Sequence, residues 1–138
     1  MKIGALQLNF TVGDFRGNSE KLVSAYEKAV REGAELCVGS ELGLCGYPPR
    51  DLLNRRDFVE SHERALREVA KRVGKVPLLI GGIEKTNQKA GRPLYNTAFL
   101  VEKGKTRAVA RKILLPTYDV FDEDRYFEAG DKAVSYTH

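Results

Sequence analysis

The sequence predicts an α/β protein built on one sheet with helices laid over it. Three observations carry this. A strand, a helix and a second strand follow one another between Ile3 and Val38, which is the pattern of a βαβ unit. A second helix followed by a strand repeats the order after an interruption rich in glycine and proline. Two apolar runs then flank Glu102-Lys103-Gly104-Lys105, a hairpin signal with glycine at the tip. The reading amounts to about six strands and two main helices.

In chain order, residues 3–10 read as a buried strand through Ile3, Ala5, Leu6, Leu8 and Phe10. Residues 11–17 form a loop. Asn18 is expected to cap the first helix, with Glu20 in the favourable first turn. Leu22, Val23, Tyr26, Ala29 and Val30 recur at helical spacing, and Gly33 supplies the stop. Residues 35–38 are the second strand. Residues 39–53 hold too much glycine and proline for a regular element. Asp57 with Glu60 three residues on resembles a capping box. The helix it opens carries Leu66, Val69, Ala70 and Val73 and ends at Gly74. Residues 76–83 form a third strand, with Pro77 near its start, where a missing donor is tolerated. Residues 86–93 are polar and loop-like. The hairpin strands span 94–101 and 106–112, and 133–136 begin a further strand. The helices are expected to cover one face of the sheet and leave the other bare.

The bulk numbers narrow the function classes. A length of 138 residues suits one domain with a core. The net charge of +4 is spread along the chain. Short basic clusters occur only at Arg55-Arg56 and Arg111-Lys112, so neither nucleic acid nor a membrane is an expected partner. No apolar run reaches membrane-spanning length, and the N-terminus enters a strand pattern at once instead of a signal peptide. A cytoplasmic location is expected. Cys37 and Cys45 are then reduced thiols, and without His or Cys partners nearby they do not resemble a zinc site.

The residues with chemical character gather at 112–127. A strand-like run ends on Lys112, Pro116 stops it, and a loop dense in acids and aromatics follows. Such loops on rigid strands are where binding and catalysis usually sit. Lys112 is read as a catalytic cation, and the loop as one wall of a pocket. Glu41 follows the second strand and is its candidate partner. A simple ion pair explains the two residues as well. A partly buried lysine also stabilises a developing oxyanion, and a desolvated glutamate is a good general base. The pair lacks a nucleophile. Cys37 reads as a small core residue, and Cys45, four residues from Glu41, is not expected to substitute. Tyr47 and Tyr118 suit loop packing and substrate contact equally. His62 lies beside the apolar stripe of the second helix and reads as a half-buried packing residue. Arg50 and Asp51 read as a solvated turn, and His138 as a free terminus.

Gly39-Ser40-Glu41-Leu42, Lys112-Ile113-Leu114-Leu115-Pro116 and Arg125-Tyr126-Phe127-Glu128-Ala129-Gly130 resemble the glutamate and lysine motifs of the nitrilase (carbon–nitrogen hydrolase) superfamily. Within it, residues 46–53 and 115–123 are similar to the glutaminase domains of glutamine-dependent NAD synthetases. The resemblance spans residues 1–134. It implies the first half of a nitrilase-like αββα sandwich, residues 1–138 being the N-terminal part of that one domain. It also implies amide hydrolysis by a Glu, Lys, Cys triad. Carried over, Glu41 is the general base, Lys112 the oxyanion stabiliser and Glu123 the second acid that positions the substrate amide and Lys112. Tyr47 and Tyr118 match tyrosines of the glutamine pocket. Ser40 departs from the usual proline. The family's cysteine belongs to an elbow beyond Lys112 that this chain lacks, so the chain alone is expected to be inactive, poorly soluble or self-associating.

The resemblance implies no cofactor and no metal for the amidase step. ATP and magnesium belong to a separate synthetase domain, where the released ammonia would amidate nicotinic acid adenine dinucleotide. The implied partners are glutamine, the remainder of the glutaminase domain, the synthetase domain and further copies of the chain. A fragment of a free-standing nitrilase-type amidase and a non-catalytic truncated product stand as alternatives.

Overall fold

The computed structural model describes residues 1–88 and 90–132. Five strands form one sheet in sequence order: β1 (Ile3–Ala5), β2 (Leu36–Val38), β3 (Leu78–Lys85), β4 (Leu94–Glu102) and β5 (Lys105–Arg111). The pairs β1–β2 and β2–β3 are parallel, and the pairs β3–β4 and β4–β5 are antiparallel. Helix α1 (Phe15–Arg31) makes the crossover from β1 to β2, and α2 (Arg56–Arg72) the crossover from β2 to β3. The βαβ and hairpin expectations therefore hold. Gly104 has φ +76° at the hairpin tip, the left-handed backbone that glycine adopts without steric cost. The expected sixth strand, at 133–136, lies outside the described residues, as does His138.

Several local expectations are corrected. The first strand stops at Ala5, and the Leu6 N–H to Val38 C=O bond of 2.8 Å is its last rung. Leu8 and Phe10 still pack against the core, but from irregular backbone. Helix α1 begins at Phe15, so Glu20 is not in its first turn. Its cap is Asp14, whose Oδ1 accepts the Gly17 N–H at 2.9 Å. Asn18 is instead buried, accepting the Thr11 N–H and donating to the Thr11 and Leu44 carbonyls. Helix α2 has no side-chain cap; Asp57 pairs with Arg55, and Glu60 with Arg56. Asp51 is not a merely solvated turn residue. It sits in a short 3-10 helix (Arg50–Asn54) and accepts the Tyr126 hydroxyl at 2.8 Å.

The two sheet faces differ. Leu78 and Ile80 of β3 with Phe99 and Val101 of β4 pack beneath Leu22, Val23 and Tyr26 of α1 and Ala65, Leu66 and Val69 of α2. Burying each of the Leu, Ile, Val and Phe side chains among them stabilises the fold by about 1.5–3 kcal/mol. Val38, Leu79, Ala98, Leu100 and Ala110 alternate with them onto the opposite face and stay half-exposed. Among the described residues no helix covers that face. A second apolar cluster under the loops joins Leu42, Cys45, Leu53, Phe58, Ile83, Tyr126 and Phe127.

Candidate active site

Three segments converge at one end of the sheet. The chain leaving β2 keeps alongside β3, with Gly39 N–H on Leu79 C=O at 2.8 Å and Gly81 N–H on Ser40 C=O at 3.3 Å. Glu41 follows. Gly81 permits this approach, because a Cβ there would lie 2.6 Å from the Glu41 Cα. Leu42, fully buried, then turns the chain with φ +49°, a conformation that is costly for a branched residue and is held by its packing.

Lys112 is the first residue past β5. Its N–H donates to Asn96 C=O at 2.8 Å, and its C=O accepts the Gly130 N–H at 2.9 Å. The intervening loop is closed at its neck by a parallel bridge between Phe127 and Leu94 and by Glu128 N–H on Leu94 C=O at 2.7 Å. Within that loop Glu123 opens a short 3-10 helix (Glu123–Arg125), its N–H on Pro116 C=O at 2.9 Å.

The side chains meet. Lys112 Nζ donates to Glu41 Oε1 at 2.8 Å and to Glu123 Oε1 at 3.2 Å, and lies 3.0 Å from Glu123 Oε2. Tyr47 donates its hydroxyl proton to Glu123 Oε1 at 2.7 Å. The Glu123 side chain is 4% exposed and that of Glu41 46%. Two carboxylates thus share one ammonium. Burial pulls the Lys112 ammonium down, but the hydrogen bonds and charges of Glu41 and Glu123 outweigh it and hold the group above the ordinary lysine value. Burial, reinforced by the hydrogen bond and charge of Glu123, pushes the Tyr47 phenol up, so it remains a donor. Glu41, Asn96 and Lys112 open with Leu79, Gly81 and Ala98 onto a cavity of about 390 Å³ on the bare sheet face.

The other sequence candidates lie apart. Tyr118 is 68% exposed and packs edge-on against Phe121, whose ring centroid is 6.3 Å from that of Tyr47. Cys45 is fully buried, its Sγ on the Leu42 carbonyl at 3.2 Å, and burial pushes its thiol up to about 12. A thiol that resists ionisation is a poor nucleophile. Cys37 is buried within β2, and burial raises its thiol as well. His62 is fully buried rather than half-buried, and its Nε2 accepts the Ile83 N–H at 3.3 Å. Among the described residues no group of three or more His, Cys, Asp or Glu side chains could hold a metal ion.

Asn96 was not foreseen. Its Nδ2 donates to Glu41 Oε1 at 2.6 Å and approaches Glu123 Oε2 at 3.4 Å. The available signal was the polar pair Asn96-Thr97 inside an otherwise apolar strand.

The mixed five-stranded sheet backed by two helices is the nitrilase-like α/β fold, and Lys112 lies between two glutamates at the end of its strands. The carbon–nitrogen hydrolase profile matches residues 2–137, and the chain belongs to that family. Its relatives include the glutamine-dependent NAD(+) synthetase of Synechocystis, 42% identical over 135 residues that make up 95% of this chain and 24% of the relative. The solved glutamine-dependent NAD+ synthetase of Acinetobacter baumannii superposes with a TM-score of 0.85 at 29% identity, over 96% of this chain and 24% of that one. An amidase from Nesterenkonia shares the fold, with a TM-score of 0.77 at 24% identity over 99% of this chain and 51% of that one. The chain spans about a quarter of the length of the synthetases it matches.

Proposed function

We propose that this chain supplies the base and the cation of a glutamine amidohydrolase serving NAD synthesis, and that the nucleophilic thiol comes from polypeptide outside it. The observation that carries the reading is Lys112 Nζ within 3.0 Å of both Glu41 and Glu123 beside a cavity on the bare sheet face. The similarity to glutamine-dependent NAD synthetases over nearly the whole chain supports the substrate class.

Each group then has a role. Glu41 takes the proton of the incoming thiol, and the thiolate adds to the amide carbon. Lys112 stabilises the oxyanion that forms. The C–N bond breaks, and ammonia leaves with the proton held by Glu41. Water then adds to the thioester carbon as Glu41 takes its proton, the C–S bond breaks, the thiolate recovers that proton from Glu41, and glutamate is released. Glu123, oriented by Tyr47, positions Lys112 and accepts from the substrate amide. Tyr118 and Phe121 form the outer rim. The amidase step needs no cofactor, and the ammonia passes to an ATP- and magnesium-using synthetase domain. The bare apolar face is the seat of the domain's remainder, and without it the chain self-associates through that face.

The test is a fusion in which residues 1–134 replace the matching quarter of the Synechocystis synthetase. Ammonia release from glutamine is expected in the fusion, and none from the 138-residue chain alone. A folded fusion that releases no ammonia overturns the reading. Activity in the chain alone that disappears in Cys45→Ala overturns the assignment of the nucleophile. Sedimentation of the chain alone as a stable monomer refutes the role given to the bare face.

A further inference from the structure

We infer that Asn96 is a positioning residue that fixes which oxygen of Glu41 receives the proton; this rests on the amidase reading above. Asn96 sits on β4, with neighbours on both sides, and is 5% exposed. It touches every charged member of the cluster. Its carbonyl accepts the Lys112 N–H at 2.8 Å, its Nδ2 donates to Glu41 Oε1 at 2.6 Å, and the same nitrogen approaches Glu123 Oε2 at 3.4 Å.

Glu41 Oε1 therefore receives two donors, Asn96 Nδ2 and Lys112 Nζ. Among the described residues Oε2 receives none. An oxygen that already accepts two hydrogen bonds is the weaker base, so the proton goes to Oε2. Lys112 alone cannot enforce this choice. Its ammonium is a point charge on a flexible stem and follows the carboxylate if the carboxylate turns. The Asn96 amide is short, buried and anchored on a central strand. With acceptors on two sides, the side chain presents its nitrogen to them, one N–H toward each carboxylate. A neutral amide holds both acids without adding a third charge. Aspartate has the same shape but would repel both.

The side chain has a further use during turnover. When Lys112 turns toward the oxyanion, Glu41 loses one of its two donors. Asn96 then keeps the carboxylate in place, so Oε2 remains aimed for the return of the proton to the leaving nitrogen.

Two measurements decide the assignment. In the fusion, the side-chain amide protons of Asn96 are followed by NMR in the wild type and in Glu41→Gln. Replacing a charge-assisted bond by a neutral one should shift the donated proton upfield; an unchanged resonance overturns the contact. In the fusion, Asn96→Ala and Asn96→Asp are each compared with the wild type. The expected loss is about 100-fold in kcat, as for a misplaced catalytic group, with KM for glutamine unchanged. Wild-type kcat in either variant overturns the inference while the amidase reading stands. So does a parallel loss of kcat and thermal stability that is restored on cooling, which marks a purely structural residue. A folded wild-type fusion without activity instead removes the amidase reading, and this assignment with it.

Discussion

Arg111 and Lys112 are neighbours in sequence, and each holds a glutamate, yet the two clusters are built on different stoichiometry. Arg111 forks onto both oxygens of Glu84, at 2.9 and 2.6 Å, while Thr97 donates to the same carboxylate at 2.8 Å and the guanidinium lies 4.1 Å over the Tyr95 ring. Arg111, through its hydrogen bonds, holds the Glu84 carboxyl below its ordinary value. One acid meets one base, and little capacity is left over. Lys112 instead carries one ammonium against two carboxylates, in contact with a cavity. A planar fork locks its geometry, whereas a rotatable ammonium can trade one partner for another. The first arrangement suits a clasp between strands, and the second suits a group that must respond to charge appearing on a substrate.

The largest expected effect separates these clusters by activity. In the fusion, Glu41→Gln or Lys112→Ala should lower kcat by about 1,000-fold, near 4 kcal/mol of barrier, while Glu84→Gln leaves it unchanged. An equal loss in Glu84→Gln would erase the distinction.

Next in size is a pH effect on the covered face. Burial holds His62 down at about 4 in the folded chain against 6.5 for the free side chain. The unfolded chain therefore binds the extra proton between those values. Stability is complete above pH 6.5 and falls as the pH drops toward about 4, by about 3 kcal/mol. Gln in place of His62 keeps an acceptor for Ile83 and should flatten urea-unfolding stability across that window. An unaltered pH slope would place the acid sensitivity elsewhere.

Glu84→Ala should then cost about 1–2 kcal/mol, read as a lower thermal midpoint, because Arg111 and Thr97 lose their shared acceptor. Tyr47→Phe is the mildest test. It removes one donor from Glu123 and should lower kcat/KM by about fivefold, about 1 kcal/mol. A larger loss would promote Tyr47 from orienting Glu123 to touching substrate.

The parts of the fold that were legible are those written in local periodicity: the helical stripe of Leu22, Val23 and Tyr26, the run 94–101, and the glycine at the hairpin tip. Asn18 was misread because its side chain has two possible uses. As a cap it needs only its own helix, but the fold spends it on the Leu44 carbonyl, 26 residues away. The shortened first strand has a similar cause, since Leu8 and Phe10 pack in the core without ladder bonds. Glu41, Lys112 and Glu123 could be picked out as candidates because their motifs are contiguous, and the structure brings their side chains together. Asn96 was not, because its meaning lies in a partner 55 residues distant. Polarity within a strand marks such a residue but does not say what it holds.

The neck of the Lys112 loop has a consequence for how such a protein can change over generations. Gly130 and Glu128 fasten the returning chain to Lys112 and Leu94, while Tyr118 and Val120 lie exposed at the tip. Substitutions at the tip are insulated from the lysine by that fastening. Drift at the tip can therefore proceed in a lineage while the backbone of Lys112 stays anchored, so Tyr118 and Val120 are the positions of this loop where sequence change is best tolerated.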